Sequence, residues 1–222
     1  MKNTMNMILD SKIIAIIRGI SSDKMIDTVQ ALKDGGIVCV EVTFNAKSEE
    51  ISRDTLKSIS MIKEHFGDSI AVGAGTVLTV QDVRQAAGAG AEYMISPNTN
   101  EAVIHETKRL GLISIPGAVT PTEIIHAYDV GADIVKLFPA AALGLEYIKA
   151  LTGPITHIPL TAVGGVNAEN AHAFIQAGCV GVSVGGNLVN KKLIEAGDFE
   201  AIKKLAQEYK IASRNSKEEK HS

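Results

Sequence analysis

Short apolar runs punctuate the chain at near-regular intervals. They read IIAIIRG from residue 13, VCVEVTF from 38, SIAVGAGTV from 69 and YMISP from 93. ISIPGA from 113, IVKLFPA from 134, IPLTAVGGV from 158 and GVSVGGNLV from 181 complete the series. Each is strand-length and mostly rich in β-branched residues, the pattern of strands buried on both faces of a parallel sheet. Successive starts lie 20 to 31 residues apart, and the gaps hold polar stretches of helical period such as SDKMIDTVQALKDGG and VQDVRQAAGAG. Gly35, Gly90, Gly111, Gly131 and Gly178 stand where such helices end, the usual place for a C-terminal cap glycine. Eight strand–helix units without a break in composition predict an α/β fold, a single (β/α)8 TIM barrel over residues 1–211. Residues 1–11 are expected to form a short helix across its bottom, and the charged run over 212–222 a disordered tail. A doubly wound open sheet is the alternative. It usually has fewer strands and a glycine-rich turn after the first, and IIRGIS is not such a turn.

Composition narrows the function classes. The 222 residues carry a formal charge of only −3, four Tyr, five Phe and no Trp, which offers little to nucleic acid or to a membrane surface. No apolar run is long enough to span a bilayer, and the N-terminus lacks the pattern of a signal peptide. Cys39 and Cys179 both sit in apolar strand-like surroundings. Buried, reduced thiols in a cytoplasmic protein are the expectation.

One residue breaks the apolar pattern of its strand. In IVKLFPA, alternation sends Val135 and Leu137 toward the helices and Ile134, Lys136 and Phe138 into the barrel. The second strand has the same anomaly: Val38, Val40 and Val42 form the outer row, so Cys39, Glu41 and Thr43 point inward. Both charges lie in the later half of their strands, toward the C-terminal face where barrel active sites form. A structural ion pair is the plain reading, although an apolar pair would often be as stable. Arg18, Thr76, Pro97 and Phe138 also collect at strand ends, however, and an ion pair has no need of them. A buried lysine has a lowered pKa and attacks carbonyl carbon as a neutral amine; a nearby carboxylate then moves the protons. Metal chemistry is the rival, but no HxH or HExxH occurs and the histidines fall mostly in helical stretches, so no metal site is expected.

Two glycine pairs end the last two strands: Gly164–Gly165, in a segment read as opening a helix, and Gly185–Gly186. Backbone N–H groups there can approach an anion, and barrels commonly hold phosphate at these two loops. Turn chemistry alone is the competing explanation.

Taken together, EVTF, VGAGTVLT, ISPNTNEAV, PGAVTPTEI, KLFPAAALG and GGVNAEN, in this order and at these spacings, resemble the class I 2-keto-3-deoxy-6-phosphogluconate aldolase family. That family includes 4-hydroxy-2-oxoglutarate aldolases and phosphogalactonate-specific relatives, and the resemblance covers nearly all of residues 10–210. It implies a homotrimeric, cofactor-free, metal-independent lyase that splits a phosphorylated 2-keto acid into pyruvate and glyceraldehyde 3-phosphate. Lys136 would form the imine and Glu41 would shuttle protons. Thr76, Pro97 and Phe138 would line the pyruvate end, with Gly164, Gly165, Gly185 and Gly186 at the phosphate.

Three positions depart from the family's best-known members. Asn45 stands where many carry an Arg for the substrate carboxylate; Arg18 is expected to supply that charge, with Lys47 the next candidate. Asn187 replaces the usual serine after the second glycine pair, and its amide can still donate to phosphate. Val163 stands before the first pair, where gluconate-type members have Thr and galactonate-type relatives Val, which leaves preference between the two C4 epimers open. Cleavage of 4-hydroxy-2-oxoglutarate is an alternative. A sugar-phosphate epimerase or a non-catalytic phosphate-binding barrel would share the glycine loops without needing Lys136.

Overall fold

The computed structural model describes residues 2–45 and 48–214. The expected Lys47 contact and the tail from residue 215 onward therefore lie outside the described residues. Strands β1 (Ile13–Ile17), β2 (Cys39–Thr43), β3 (Ala71–Gly75), β4 (Tyr93–Ile95), β5 (Ile113–Ile115), β6 (Gly117–Ala118), β7 (Val135–Leu137), β8 (Leu160–Val163) and β9 (Gly181–Val184) form one parallel sheet. Helix α1 (Lys2–Ser11) precedes β1, and the other main helices are α2 (Met25–Asp34), α3 (Glu49–Phe66), α4 (Val80–Gly88) and α5 (Glu101–Arg109). They continue with α6 (Pro121–Asp129), α7 (Ala140–Leu143), α8 (Leu145–Thr152), α9 (Ala171–Gln176), α10 (Lys191–Glu195) and α11 (Phe199–Ala212).

The strand order β5-β4-β3-β2-β1-β9-β8-β7-β6 is that of a barrel cut at its fifth position. The cut has a covalent cause. Pro116 has no N–H to give to a ladder, so the fifth apolar run divides into β5, which pairs with β4, and β6, which pairs with β7. Backbone bonds close the gap: Ser114 O accepts from Asp133 N at 2.9 Å, and Pro116 O accepts from Lys136 N at 2.8 Å. Nine short strands are thus eight barrel positions.

The expected helix starts and stops are visible locally. Thr79 with Asp82 and Thr120 with Glu123 form capping boxes, the second followed by Pro121 in the first turn. Gly90, Gly111, Gly131 and Gly178 follow helix ends with positive φ. Gly35 behaves differently: its φ is −82°, and the left-handed residue is Gly36. A Cβ on Gly35 would overlap Ala206 of α11, so close helix packing accounts for it.

The alternation of side chains divides the core into two layers. Ala15, Ile17, Val40, Val42, Val135, Leu137, Val182 and Val184 pack outward against the helices. Ile14, Cys39, Ala71, Tyr93, Ile113 and Ile134 fill the lower barrel, with Ile8 of α1 packed beneath them. The expected N-terminal helix thus plugs the bottom. Each fully buried isoleucine contributes on the order of 2 kcal/mol. This apolar floor offsets the several kcal/mol that burying an ion higher in the barrel costs.

Candidate active site

Above the floor the inward positions turn polar. Glu41 and Lys136 are 2% and 7% exposed, on β2 and β7. Glycine makes room for the carboxylate, since a Cβ on Gly75 of the neighbouring strand would overlap it. Below, Gly73 does the same for the Tyr93 ring, whose hydroxyl donates to Val40 O at 2.5 Å. Thr43 Oγ1 offers Glu41 Oε1 a long contact of 3.4 Å, and Oε2 is buried without a partner. Burial pushes the Glu41 carboxyl above the usual carboxylate range, with Lys136 and Arg18 pulling the other way. Burial likewise holds the Lys136 ammonium below the usual lysine range, against the attraction of Glu41. The two feel each other's charge without forming a direct salt bridge. A pair kept for stability would close that distance and fill its remaining lone pairs. What the barrel holds instead is an amine whose charged form burial disfavours and a carboxylate with a free oxygen.

Glu41, Lys136, Arg18, Thr76, Pro97, Phe138, Val163, both glycine pairs and Asn187 line one cavity of about 500 Å³ at the C-terminal mouth, whereas Asn45 borders a different groove. Arg18 is exposed, just past the end of β1, and among the described residues it forms no salt bridge, although its charge reaches Glu41. Thr76 follows β3 with φ of +57°, a left-handed conformation rarely adopted by a β-branched residue and worth about 1–3 kcal/mol of strain. Such strain is kept where the surroundings demand it, and here it lies on the cavity wall. Phe138, 41% exposed, stands over Lys136 with the ammonium 4.9 Å from its ring centroid. That face favours a cation at the nitrogen, whether ammonium or iminium.

The two glycine pairs differ physically. Gly164 and Gly165 have φ of +94° and +73°, and added Cβ atoms would press on Phe138 and overlap Ala141, so turn geometry and packing account for them. Gly185 and Gly186 have no positive φ, and an added Cβ would meet little: Ile16 at 4.0 Å for the first, open space for the second. Neither backbone nor packing explains this pair, whereas a ligand occupying that space would. The first loop does not open a helix directly, because α9 starts only at Ala171. Asn167 and Asn170 brace the intervening turn by exchanging side-chain and backbone hydrogen bonds, and Asn170 also donates to Gly165 O at 3.0 Å. Asn187 Nδ2 donates to Val166 O at 3.0 Å and so ties the loops together, with one amide hydrogen left over.

Ile16, Val166 and Ser183 also line the cavity and were not singled out by the sequence. In the sequence Ser183 is one more residue of the run GVSVGGNLV. Its inward direction was legible, but its lack of a partner was not. A separate groove of about 630 Å³ beside Gly19–Ser21 is bordered by Glu50, Arg53, Asp54, Lys57 and Lys191. Its charged side chains are exposed or half-buried, so it lacks the desolvated groups that shift reactivity. Among the described residues, no cluster of three or more His, Cys, Asp or Glu could hold a metal ion, and no helix is long and apolar enough to cross a membrane. Cys39 and Cys179 are free and buried, and desolvation pushes both thiols up to about 12.

Comparison with known proteins places the barrel in a family. The chain is 38% identical over 177 residues to 2-dehydro-3-deoxy-6-phosphogalactonate aldolase of Escherichia coli (strain K12), covering 79% of this chain and 83% of that protein. It is 33% identical over 199 residues to 2-dehydro-3-deoxy-phosphogluconate aldolase of Treponema pallidum (strain Nichols), covering 88% and 91%. A solved structure named "Native KDPGal structure" superposes with a TM-score of 0.81 at 35% identity, covering 90% of this chain and 93% of that one. The family model described as KDPG and KHG aldolase matches residues 4–205, and with it the whole barrel from α1 into α11. The chain belongs to the KDPG and KHG aldolase family.

Proposed function

We propose that this protein is a metal-independent Schiff-base aldolase. It cleaves 2-keto-3-deoxy-6-phosphogluconate or its galactonate epimer to pyruvate and D-glyceraldehyde 3-phosphate. The observation that carries this reading is the buried Lys136, its pKa lowered by desolvation, sharing one cavity with a Glu41 carboxylate oxygen that has no partner. Lys136 Nζ adds to the C2 carbonyl, and the carbinolamine loses water to give an iminium. The C3–C4 bond then breaks with its electrons drawn into that iminium, leaving an enamine. Glu41 takes the proton of the C4 hydroxyl as the aldehyde departs, returns a proton to C3, and assists hydrolysis to free pyruvate. Arg18 holds the substrate carboxylate, and the two glycine loops, Gly164–Gly165 and Gly185–Gly186 with Asn187, hold the phosphate.

Release of pyruvate from either epimer, undiminished by EDTA, is the expected result. Loss with EDTA and recovery with a divalent ion would move the enzyme to the metal-dependent class. Cleavage of 4-hydroxy-2-oxoglutarate to pyruvate and glyoxylate is the second reading, supported by the KHG half of the family description. It uses the same lysine and carboxylate but has no need of the empty space at Gly186. A homotrimer is proposed from the family resemblance, and sedimentation equilibrium at three chain masses is its check.

A further inference from the structure

The Ser183 hydroxyl is buried, lines the active-site cavity and has no hydrogen-bonding partner. A hydroxyl in that state is costly to keep, so its retention needs a reason. Its place in the barrel supplies one. Val182 and Val184 pack outward, so Ser183 points inward, level with Val163 on β8 and Ile14 on β1. Gly185 and Gly186, where an added Cβ would meet little or nothing, follow just beyond it on the same chain. Round the barrel wall the order is Lys136 on β7, Val163 on β8, then Ser183 on β9.

We propose that Ser183 is a specificity-determining residue that hydrogen-bonds the C5 hydroxyl of the substrate. This rests on the aldolase reading above. With C2 on Lys136 and the C6 phosphate at Gly185–Gly186, the chain between them passes Val163 and Ser183. Val163 is apolar and offers only shape. The C5 hydroxyl is the substituent next to the phosphate-bearing carbon, and Ser183 is the polar group directly below the phosphate loop. In the condensation direction this is the 2-hydroxyl of glyceraldehyde 3-phosphate.

The test runs condensation with pyruvate and two acceptors, D-glyceraldehyde 3-phosphate and 3-phosphooxypropanal, which lacks that hydroxyl. Ser183→Ala should lower kcat/KM for the first acceptor by about 5- to 150-fold, the cost of a group left without its partner, and leave the second nearly unchanged. Ser183→Thr, which keeps the hydroxyl, should restore part of the preference. Deuterium exchange at C3 of pyruvate, read by NMR, should match wild type in Ser183→Ala and reports that the imine machinery is intact. An acceptor ratio identical in wild type and Ser183→Ala, with exchange intact, overturns the role of Ser183. So does a Ser183→Ala variant that alters only the ratio between C4 epimers. A wild type that exchanges no pyruvate protons would instead remove the aldolase reading itself.

Discussion

Burial shifts the protonation of Glu41 and Lys136 and each charge opposes the other's shift, which makes the pH dependence of the reaction informative. Lysine must be neutral to attack, so imine formation should rise with pH through the lowered Lys136 pKa, below the ordinary lysine value of about 10.4. The Glu41 carboxylate raises that pKa. Glu41→Gln should therefore move the rising limb to lower pH while slowing turnover by about 10²- to 10⁴-fold, the usual worth of a positioned acid–base group. Stopped-flow imine formation across pH checks both effects. Stability should move the opposite way from activity. Because the folded-state pKa of Glu41 is raised, its cost to the fold begins above the ordinary carboxylate value of about 4.3 and levels off above the raised pKa. Glu41→Gln should thus gain more in Tm at pH 8 than at pH 4. A variant that unfolds readily while each folded molecule stays active would restore the structural ion pair as the right reading. Arg18→Ala should weaken pyruvate and keto acid binding and leave the phosphorylated aldehyde little affected, as separate KM values would record. Val163→Thr adds a hydroxyl where wild type has none. It should shift relative kcat/KM toward the gluconate epimer by up to about 150-fold, and pyruvate exchange, which lacks C4, should not follow. A wild type strongly selective for gluconate, with the same ratio in Val163→Thr, would place epimer choice elsewhere.

At the scale of elements, the sequence carried most of the barrel because burial and alternation leave direct marks. The apolar runs became the strands, and the inward facing of Glu41 and Lys136 followed from a period of two that the structure keeps. Three features were less legible. Pro116 inside ISIPGA divides one barrel position into β5 and β6, which an apolar count cannot reveal. The glycine pairs look alike in sequence, yet Gly164–Gly165 are held by backbone φ and packing, whereas Gly185–Gly186 face open space. Only three dimensions separate those causes. Ser183 gave no signal because a missing partner is a property of its surroundings rather than of its residue type. The difference between the loops yields opposite expectations. Gly186→Ala should fold like wild type and raise KM for phosphorylated substrates without altering pyruvate exchange. Gly164→Ala must place a Cβ on a φ of +94° and should lose about 1 kcal/mol or more of stability by denaturant titration.

For the molecule as a whole, the barrel separates stability from chemistry along its axis. The lower half, with α1 beneath it, is apolar and closed; the upper half gathers charge, strain and unpartnered polar groups around one cavity. That division lets the fold hold two desolvated ions in position without spending them on each other. On the mechanism proposed above, one lysine, Lys136, forms the covalent bond to substrate. Borohydride reduction in the presence of pyruvate, followed by intact-mass and peptide analysis, tests this most directly. One reduced pyruvoyl group per chain, located on Lys136 and absent from Lys136→Met, is the expected result. Labelling at another lysine, or none, would contradict it.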